Sequence, residues 1–199
     1  PAAPAPTGPS EAEVAESALN LTTAVLSSTE TLTYQGAHDA TEILSYVISQ
    51  PTVVEDSSKT EEVQSNINEI SDQLLNDNSG TTNATIETAE LNITTEKRQA
   101  SSIALSPSVV RTATAPAVVA LPADVLDQAV ADGNVNDSLP VDVLLYSSSV
   151  NLHSIAMDTA DGAAAAAANV TMSSPLISFA LRQGGREIGI KGTRSSINT

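Results

Sequence analysis

The stretch that most restricts the fold of this 199-residue chain lies near its C-terminus. Residues 176–181 form an apolar run with the chain's single Phe, 183–186 read Gln-Gly-Gly-Arg, and 187–190 read Glu-Ile-Gly-Ile. Gly184 and Gly185 can both adopt positive φ without steric cost, as a two-residue hairpin turn requires. The stretch therefore predicts a β-hairpin. The side chains that alternate toward a core are those of Ile177, Phe179 and Leu181.

The N-terminal region predicts a linker and then a helix. Residues 1–9 contain four prolines, which is typical of an extended linker. Ser10 and Glu13 have the spacing of a capping box, the pattern that begins a helix. Apolar residues then recur at helical spacing through about residue 27, and we expect this stripe to face the core. The stripe comprises Val14, Ala18, Leu21 and Val25.

Two further helices fit residues 37–50 and 60–76. Pro51 ends the first of them, because proline cannot continue a helix. Thr60 is the predicted N-cap of the other, followed by glutamates that suit the positive end of the helix dipole. The predicted core faces are Ala40, Ile43, Leu44, Val47 and Ile48 in one helix and Val63, Ile67, Ile70 and Leu74 in the other. Residues 10–80 therefore predict a small helical subdomain.

After residue 81 the pattern favours strands, because β-branched residues suit a pleated, half-buried surface. The predicted strand residues lie around Ile86–Ile93, Ile103–Val110, Ala117–Leu121 and Leu139–Tyr146. One or two helical turns are predicted after Pro122, with Gly133 beyond their end. The run Ala163–Ala168 is either a local helix or a flexible insertion, since six alanines alone do not make a stable helix.

Composition and charge exclude several classes of function. The net charge is −16, but residues 182–199 hold four basic residues against one acidic residue, so residues 1–181 carry −19. An acidic body argues against binding to nucleic acid or to an anionic membrane surface. There is no cysteine, which excludes disulfides and thiolate metal sites in this stretch. No apolar run long enough to cross a membrane is present.

Five N-glycosylation sequons point to a secretory origin. Each has the form Asn-X-Ser/Thr, and together they predict an extracellular glycoprotein. The acceptor residues are Asn20, Asn83, Asn92, Asn136 and Asn169. Because the chain starts without Met and stops within the predicted sheet, we expect it to be a segment of a larger extracellular protein.

Three weak chemical motifs favour ordinary surface structure over a site. Residues 132–137 place oxygen ligands like a Ca²⁺ loop, but Asp137 and Val143 stand where that loop needs Gly and Glu, so a polar turn is preferred. His38 beside Asp39 could orient an imidazole, yet no nucleophile is placed to partner it. His153 has no companion at metal-ligand spacing. The sequence therefore predicts no catalytic, cofactor or metal site.

A basic strip at the C-terminus could dock on an acidic partner or on a second copy. Charges on an exposed hairpin more commonly protect a sheet edge, which is the preferred interpretation. The strip comprises Arg182, Arg186, Lys191 and Arg194.

The order of these elements resembles the GAIN domain of adhesion receptors, particularly the version in polycystin-like and egg-jelly-receptor-like proteins. The resemblance covers 10–192 in element order and is closest over 173–190, Ser-Ser-Pro-Leu-Ile-Ser-Phe-Ala-Leu-Arg-Gln-Gly-Gly-Arg-Glu-Ile-Gly-Ile. It implies an α+β fold: a helical subdomain (10–80) followed by a twisted antiparallel β-sandwich (81–199), truncated at the C-terminus. The family's His-Leu-Ser/Thr cleavage site is missing, since Leu152-His153-Ser154 has another order and precedes the hairpin.

The resulting hypothesis is a non-enzymatic extracellular module that is partner-binding or mechanically loaded. Its expected partners are other domains of the same protein, or neighbouring subunits, together with N-glycans. The alternative is a subunit of an extracellular filament or a cell-surface or ciliary appendage that self-associates. An autoproteolytic enzyme, the third hypothesis, requires residues beyond Thr199.

Overall fold

The computed structural model describes residues 8–28, 31–76, 83–103, 107–112, 116–120, 123–150, 152 and 176–188. Four helices come first: α1 Glu11–Leu26, α2 Tyr34–Ile48, α3 Pro51–Val54 and α4 Ser57–Asn76. The remaining elements are β1 Asn83–Glu87, β2 Leu91–Gln99, α5 Ala100–Ile103, β3 Ser108–Arg111, β4 Pro116–Val119, α6 Ala123–Ala131, β5 Pro140–Ser148, β6 Leu176–Gln183 and β7 Arg186–Glu187. The chain is α+β, with helices followed by antiparallel strands. Residues 1–7 of the predicted linker and the run Ala163–Ala168 lie outside the described residues.

Side-chain caps set where the helices begin. The Glu13 amide donates to Ser10 Oγ, and the Ser10 amide donates to Glu13 Oε2 at 2.8 Å, so the predicted capping box is present. Helix α2 begins three residues earlier than predicted, because the Thr33 hydroxyl accepts from the Gly36 amide at 3.1 Å. Pro51 does follow α2, but it also opens the short helix α3.

The predicted N-cap of α4 is wrong by one turn. Asp56 Oδ1 accepts from the Ser58 amide at 3.0 Å, which satisfies a free donor at the start of the helix. Thr60 lies inside α4, where its hydroxyl donates to the Ser57 carbonyl at 2.9 Å. Ile103, expected in a strand, lies in the one-turn helix α5.

Helix α1 buries a different face from the one predicted. Leu21 is 61% exposed, and Val14 and Val25 are also exposed, so three of the four predicted residues face outward, while Ala18 is half-buried against the first core. The buried stripe lies about one residue further along the helix and comprises Ala15, Leu19, Thr22 and Leu26. Thr22 can be buried because its hydroxyl donates to the Ala18 carbonyl at 2.9 Å.

A five-stranded antiparallel sheet, in the order β1-β2-β5-β6-β7, follows the helices. The central strands pair over long registers, for example Ile93 with Tyr146 and Leu145 with Phe179. Gly184 and Gly185 both have positive φ, 59° and 76°, and connect β6 to β7 as the predicted hairpin turn. A second sheet has two strands, β3 and β4.

The sheet separates two hydrophobic cores. On one face, Ile86, Leu91 and Ile93 pack with the buried residues of α1, α2 and α4 in one cluster. On the other face, Val143, Leu145 and Leu181 pack with residues of β4, α5 and α6 in a second cluster. Ile177 and Phe179 are half-buried against this second cluster, so the hairpin side chains point toward a core as predicted.

Candidate functional site

A polar cleft lies where the end of α4 meets the turn between β6 and β7. Its volume is about 470 Å³, and four charged side chains line it: Asp72, Lys97, Asp142 and Arg182. The pleat of the sheet brings them together, because Asp142 is the register partner of both Lys97 in β2 and Arg182 in β6. Asp72 is contributed by the facing helix. We call these four residues the junction cluster.

The junction cluster contains two cations and two carboxylates. Arg182 Nη1 lies 2.5 Å from Asp72 Oδ1, and Nη2 donates to Asn68 Oδ1 at 3.2 Å. Lys97 Nζ lies 3.8 Å from Asp142 Oδ1 and donates to the Leu75 carbonyl near the end of α4 at 3.4 Å. Each cation therefore has both a carboxylate and a helix-borne acceptor within reach. The arrangement suits fastening of a helix to a sheet.

Opposing interactions act on the pKa of the Asp142 carboxyl. Burial raises its pKa above the ordinary value of 3.8, and the nearby Asp72 carboxylate acts in the same direction. Lys97 and Arg182 oppose that shift. Burial dominates, so the ionised form of Asp142 is less favourable in the folded protein than in water.

A second buried polar group lies on the other face of the sheet, beneath β3. Glu96 is 5% exposed, its Oε2 lies 2.6 Å from Arg98 Nη2, and Ser108 Oγ donates to it at 3.0 Å. Ser147 Oγ donates to the Arg111 carbonyl at 2.6 Å. These bonds tie the β3–β4 hairpin to the sheet, since buried polar groups need partners.

The loop at 132–138 is a polar turn held by side-chain hydrogen bonds. Gln128 Nε2 donates to Asp132 Oδ1 at 2.8 Å, and the Ser138 amide donates to Asn136 Oδ1 at 3.0 Å. Two of the oxygens that a Ca²⁺ loop would use are thus engaged within the chain. Gln183 holds the loop from β6: its Oε1 accepts from the Asn136 amide at 2.7 Å.

His38, Asp39 and Glu42 form a group whose potential ligand atoms lie within 4.8 Å of one another. His38 Nδ1 is 3.9 Å from Asp39 Oδ1, and that oxygen accepts from Gln35 Nε2 at 2.7 Å. His38 Nδ1 is buried and has no hydrogen-bond partner among the described residues, whereas Asp39 and Glu42 are exposed. The group lies on one turn of α2. His153 lies outside the described residues.

The sequon asparagines have unequal environments. Asn20 in α1, Asn83 in β1 and Asn136 in the loop before β5 are all exposed. Asn92 is 7% exposed, its Oδ1 accepts from the Thr88 amide at 3.0 Å, and Nδ2 reaches Ser147 Oγ at 3.4 Å. This burial argues against a glycan at Asn92, because the Asn92 amide nitrogen would have to carry the sugar. Asn169 lies outside the described residues.

The residues of the predicted basic strip have different environments. Arg182 is 17% exposed and is used within the chain by Asp72, so it is not a free cation on the surface. Arg186 is exposed at the tip of the hairpin. Lys191 and Arg194 lie outside the described residues.

Several important side chains could not have been selected from the sequence. Gln183 lies beside the glycines of the predicted hairpin, yet its side chain holds the loop at 136–140 through several hydrogen bonds. Tyr34 Oη donates to the Thr85 carbonyl at 2.6 Å, a contact across 51 positions of the chain. Neither residue is part of a local pattern. The partners are brought together by the packing of distant elements.

Within the described ranges, none of the helices is long and apolar enough to cross a membrane. No protein-family model matches the chain, and no curated protein matches it. Among solved structures, the chain is similar to the full extracellular region of zebrafish Gpr126/Adgrg6, with a TM-score of 0.41 and 11% sequence identity. The similarity covers 85% of this chain and 25% of that structure, so the chain spans about a quarter of its length.

Proposed function

We propose that the chain is a non-enzymatic extracellular module, structural or adhesive, of a larger polycystin-type or adhesion-type surface glycoprotein. The observation that carries the proposal is the exposure of Asn20, Asn83 and Asn136 on three separate elements. Glycans at these positions would cover α1, one edge of the sheet and the loop before β5 without disturbing either core. The proposed partners are neighbouring domains of the same protein or neighbouring subunits, and not nucleic acid or the lipid bilayer.

The junction cluster supports a role in which the module holds its shape under load. The Arg182–Asp72 ion pair and the hydrogen bond from Lys97 to the Leu75 carbonyl connect the sheet to α4, and α4 also packs into the first core. A force that separates the helices from the sheet would have to break these polar contacts and expose apolar side chains together. That combination gives a cooperative structural unit.

The test is glycopeptide mapping of the native protein from the cells that make it. Occupied Asn20, Asn83 and Asn136, with Asn92 bare, is the expected result. Bare asparagines at all five sequons would overturn the extracellular proposal. A glycan at Asn92 would instead contradict the burial of that side chain.

A second candidate is a subunit of an extracellular filament or a cell-surface appendage. The exposed stripe of Val14, Leu21 and Val25 on α1 favours it, because contiguous apolar residues on a helix face often mark a contact surface. The engagement of Arg182 within the chain weakens the charge-based route to self-association. Electron microscopy of the native protein distinguishes the two, since a filament gives particles of variable length and a module gives particles of one size.

A further inference from the structure

Among the residues that the structure describes, strand β1 forms one edge of the five-stranded sheet, and its hydrogen-bond pattern shows which groups face outward. The Thr88 amide donates to the Leu91 carbonyl at 3.2 Å, so these two residues form a hydrogen-bonded pair. Hydrogen-bonded and non-hydrogen-bonded pairs alternate along antiparallel strands. Residues 84 and 86 therefore bond to β2, and the amides and carbonyls of residues 83, 85 and 87 point away from the sheet.

Few of the usual protective features guard this edge. Its five residues, Asn-Ala-Thr-Ile-Glu, include neither proline nor lysine, and the pairing with β2 runs without a bulge. The single charge, Glu87, is paired with Arg111 at 3.0 Å. Tyr34 Oη covers the Thr85 carbonyl at 2.6 Å, which leaves the Thr85 amide and the outward groups at Asn83 and Glu87.

Asn83 is both the first residue of this edge strand and an exposed sequon acceptor, with Thr85 as its hydroxyl residue. A strand added to the edge would lie about 4.8 Å from β1. A glycan at Asn83 is far bulkier than that spacing and is strongly hydrated. We propose that the Asn83 glycan prevents β1 from pairing with the β1 edge of a second copy.

This inference rests on the proposed secretory origin and adds a specific role for one modification. The occupant of the bare edge is a second copy, because two β1 edges can pair antiparallel about a two-fold axis with each strand offering the same outward groups. The short strand limits such pairing to a few hydrogen bonds. The expected association is therefore weak and dependent on concentration.

The test compares variants secreted from a glycosylating host by sedimentation equilibrium over a range of concentrations. N83Q and T85A both remove the sequon, whereas T85S preserves it, and N20Q removes a glycan from α1 instead. The protein mass of N83Q and T85A should rise toward twice the monomer value with concentration. Wild type, T85S and N20Q should show no such rise.

Two further variants separate loss of the glycan from exposure of the edge. T85P lacks the sequon but also lacks the outward amide at residue 85, and proline is tolerated on strand edges. T85K lacks the sequon and places a lysine on the edge strand, which opposes pairing of two copies. Both should remain monomeric while T85A associates. T85K supplies the comparison if circular dichroism shows that T85P is unfolded.

The outcomes separate this inference from the proposed function. Monomeric N83Q and T85A, from a wild type that carries the Asn83 glycan, overturn the inference and leave the glycoprotein proposal intact. Glycans at Asn20 or Asn136 with Asn83 bare have the same consequence. Association of T85K as strong as that of T85A also overturns it, because the contact then lies elsewhere. Bare sequons throughout overturn both.

Discussion

Arg182 in β6 and Asp72 in α4, 110 positions apart in the chain, form an ion pair with 2.5 Å between Nη1 and Oδ1. The arginine is mostly buried while the carboxylate is partly exposed. The Asn68 side chain accepts a second hydrogen bond from the same guanidinium at 3.2 Å. One sheet residue thus fastens two successive turns of α4.

We expect R182A to lower the free energy of unfolding by about 1–2 kcal/mol, because charge-assisted hydrogen bonds are lost and screening by solvent reduces their value. R186A is the matched control, since Arg186 is exposed at the hairpin tip. Its effect should stay within about 0.5 kcal/mol. Urea unfolding measures both. Equal losses in the two variants would contradict a fastening role for Arg182.

The raised pKa of Asp142 predicts how its contribution to stability changes with pH. Burial lifts the folded-state pKa above the ordinary 3.8, so folding favours the protonated carboxyl. The contribution of Asp142 to stability is therefore fully present below pH 3.8 and is lost as the pH rises through the folded-state pKa. D142N, which mimics the neutral form, should be at least as stable as wild type at neutral pH.

The measurement is urea unfolding of wild type and D142N from neutral pH down to about pH 3.5, a range that spans the reference pKa of a carboxyl. The difference between the two proteins should shrink as the pH falls. Glu13 and Asp56 have pKa values lowered by hydrogen bonds from Ser10 and Ser58, so both proteins share that opposite trend. A wild type that is more stable than D142N at neutral pH, and that loses this advantage in acid, would show that the Lys97–Asp142 attraction outweighs burial.

Two leucines in α1 test which face of the helix is buried. Leu19 is 1% exposed and Leu21 is 61% exposed. L19A should cost about 2–5 kcal/mol, because it removes buried methyl groups and leaves a cavity. L21A should change stability by less than about 0.5 kcal/mol. The reverse order in thermal or urea unfolding would restore the stripe predicted from the sequence.

The buried face of α1 is a part of the fold that the sequence pattern alone does not determine. Helix α4 offers one apolar stripe, and Val63, Ile67, Ile70 and Leu74 are all buried as predicted. Helix α1 offers two stripes at the same period, and the choice between them depends on packing against α2 and α4. Thr23 illustrates this dependence, since its hydroxyl donates to Glu62 Oε1 in α4 at 2.7 Å.

The candidate site was less predictable than the fold for the same reason. Hairpin β6–β7 follows from adjacent glycines, a local signal. The junction cluster joins residues from α4, β2, β5 and β6, and no short spacing in the chain reveals it. The sequons of Asn83 and Asn92 are alike in sequence, yet Asn92 is buried beside Ser147 on the sheet face covered by the β3–β4 hairpin.

The turn at Gly184 and Gly185 provides a test of a purely local prediction. Gly184 has φ of 59°, and a Cβ added there would meet nothing within 4 Å, so the cost of a side chain is one of backbone strain alone. G184A should lose about 1–2 kcal/mol. G184N should lose less, because Asn tolerates this conformation and Asn-Gly is favoured in such turns. G8A is the control, since Gly8 also has open space but no positive φ, and it should be neutral in the same urea unfolding experiment. Equal losses for G184A and G184N would contradict the expected tolerance of Asn for positive φ at this position.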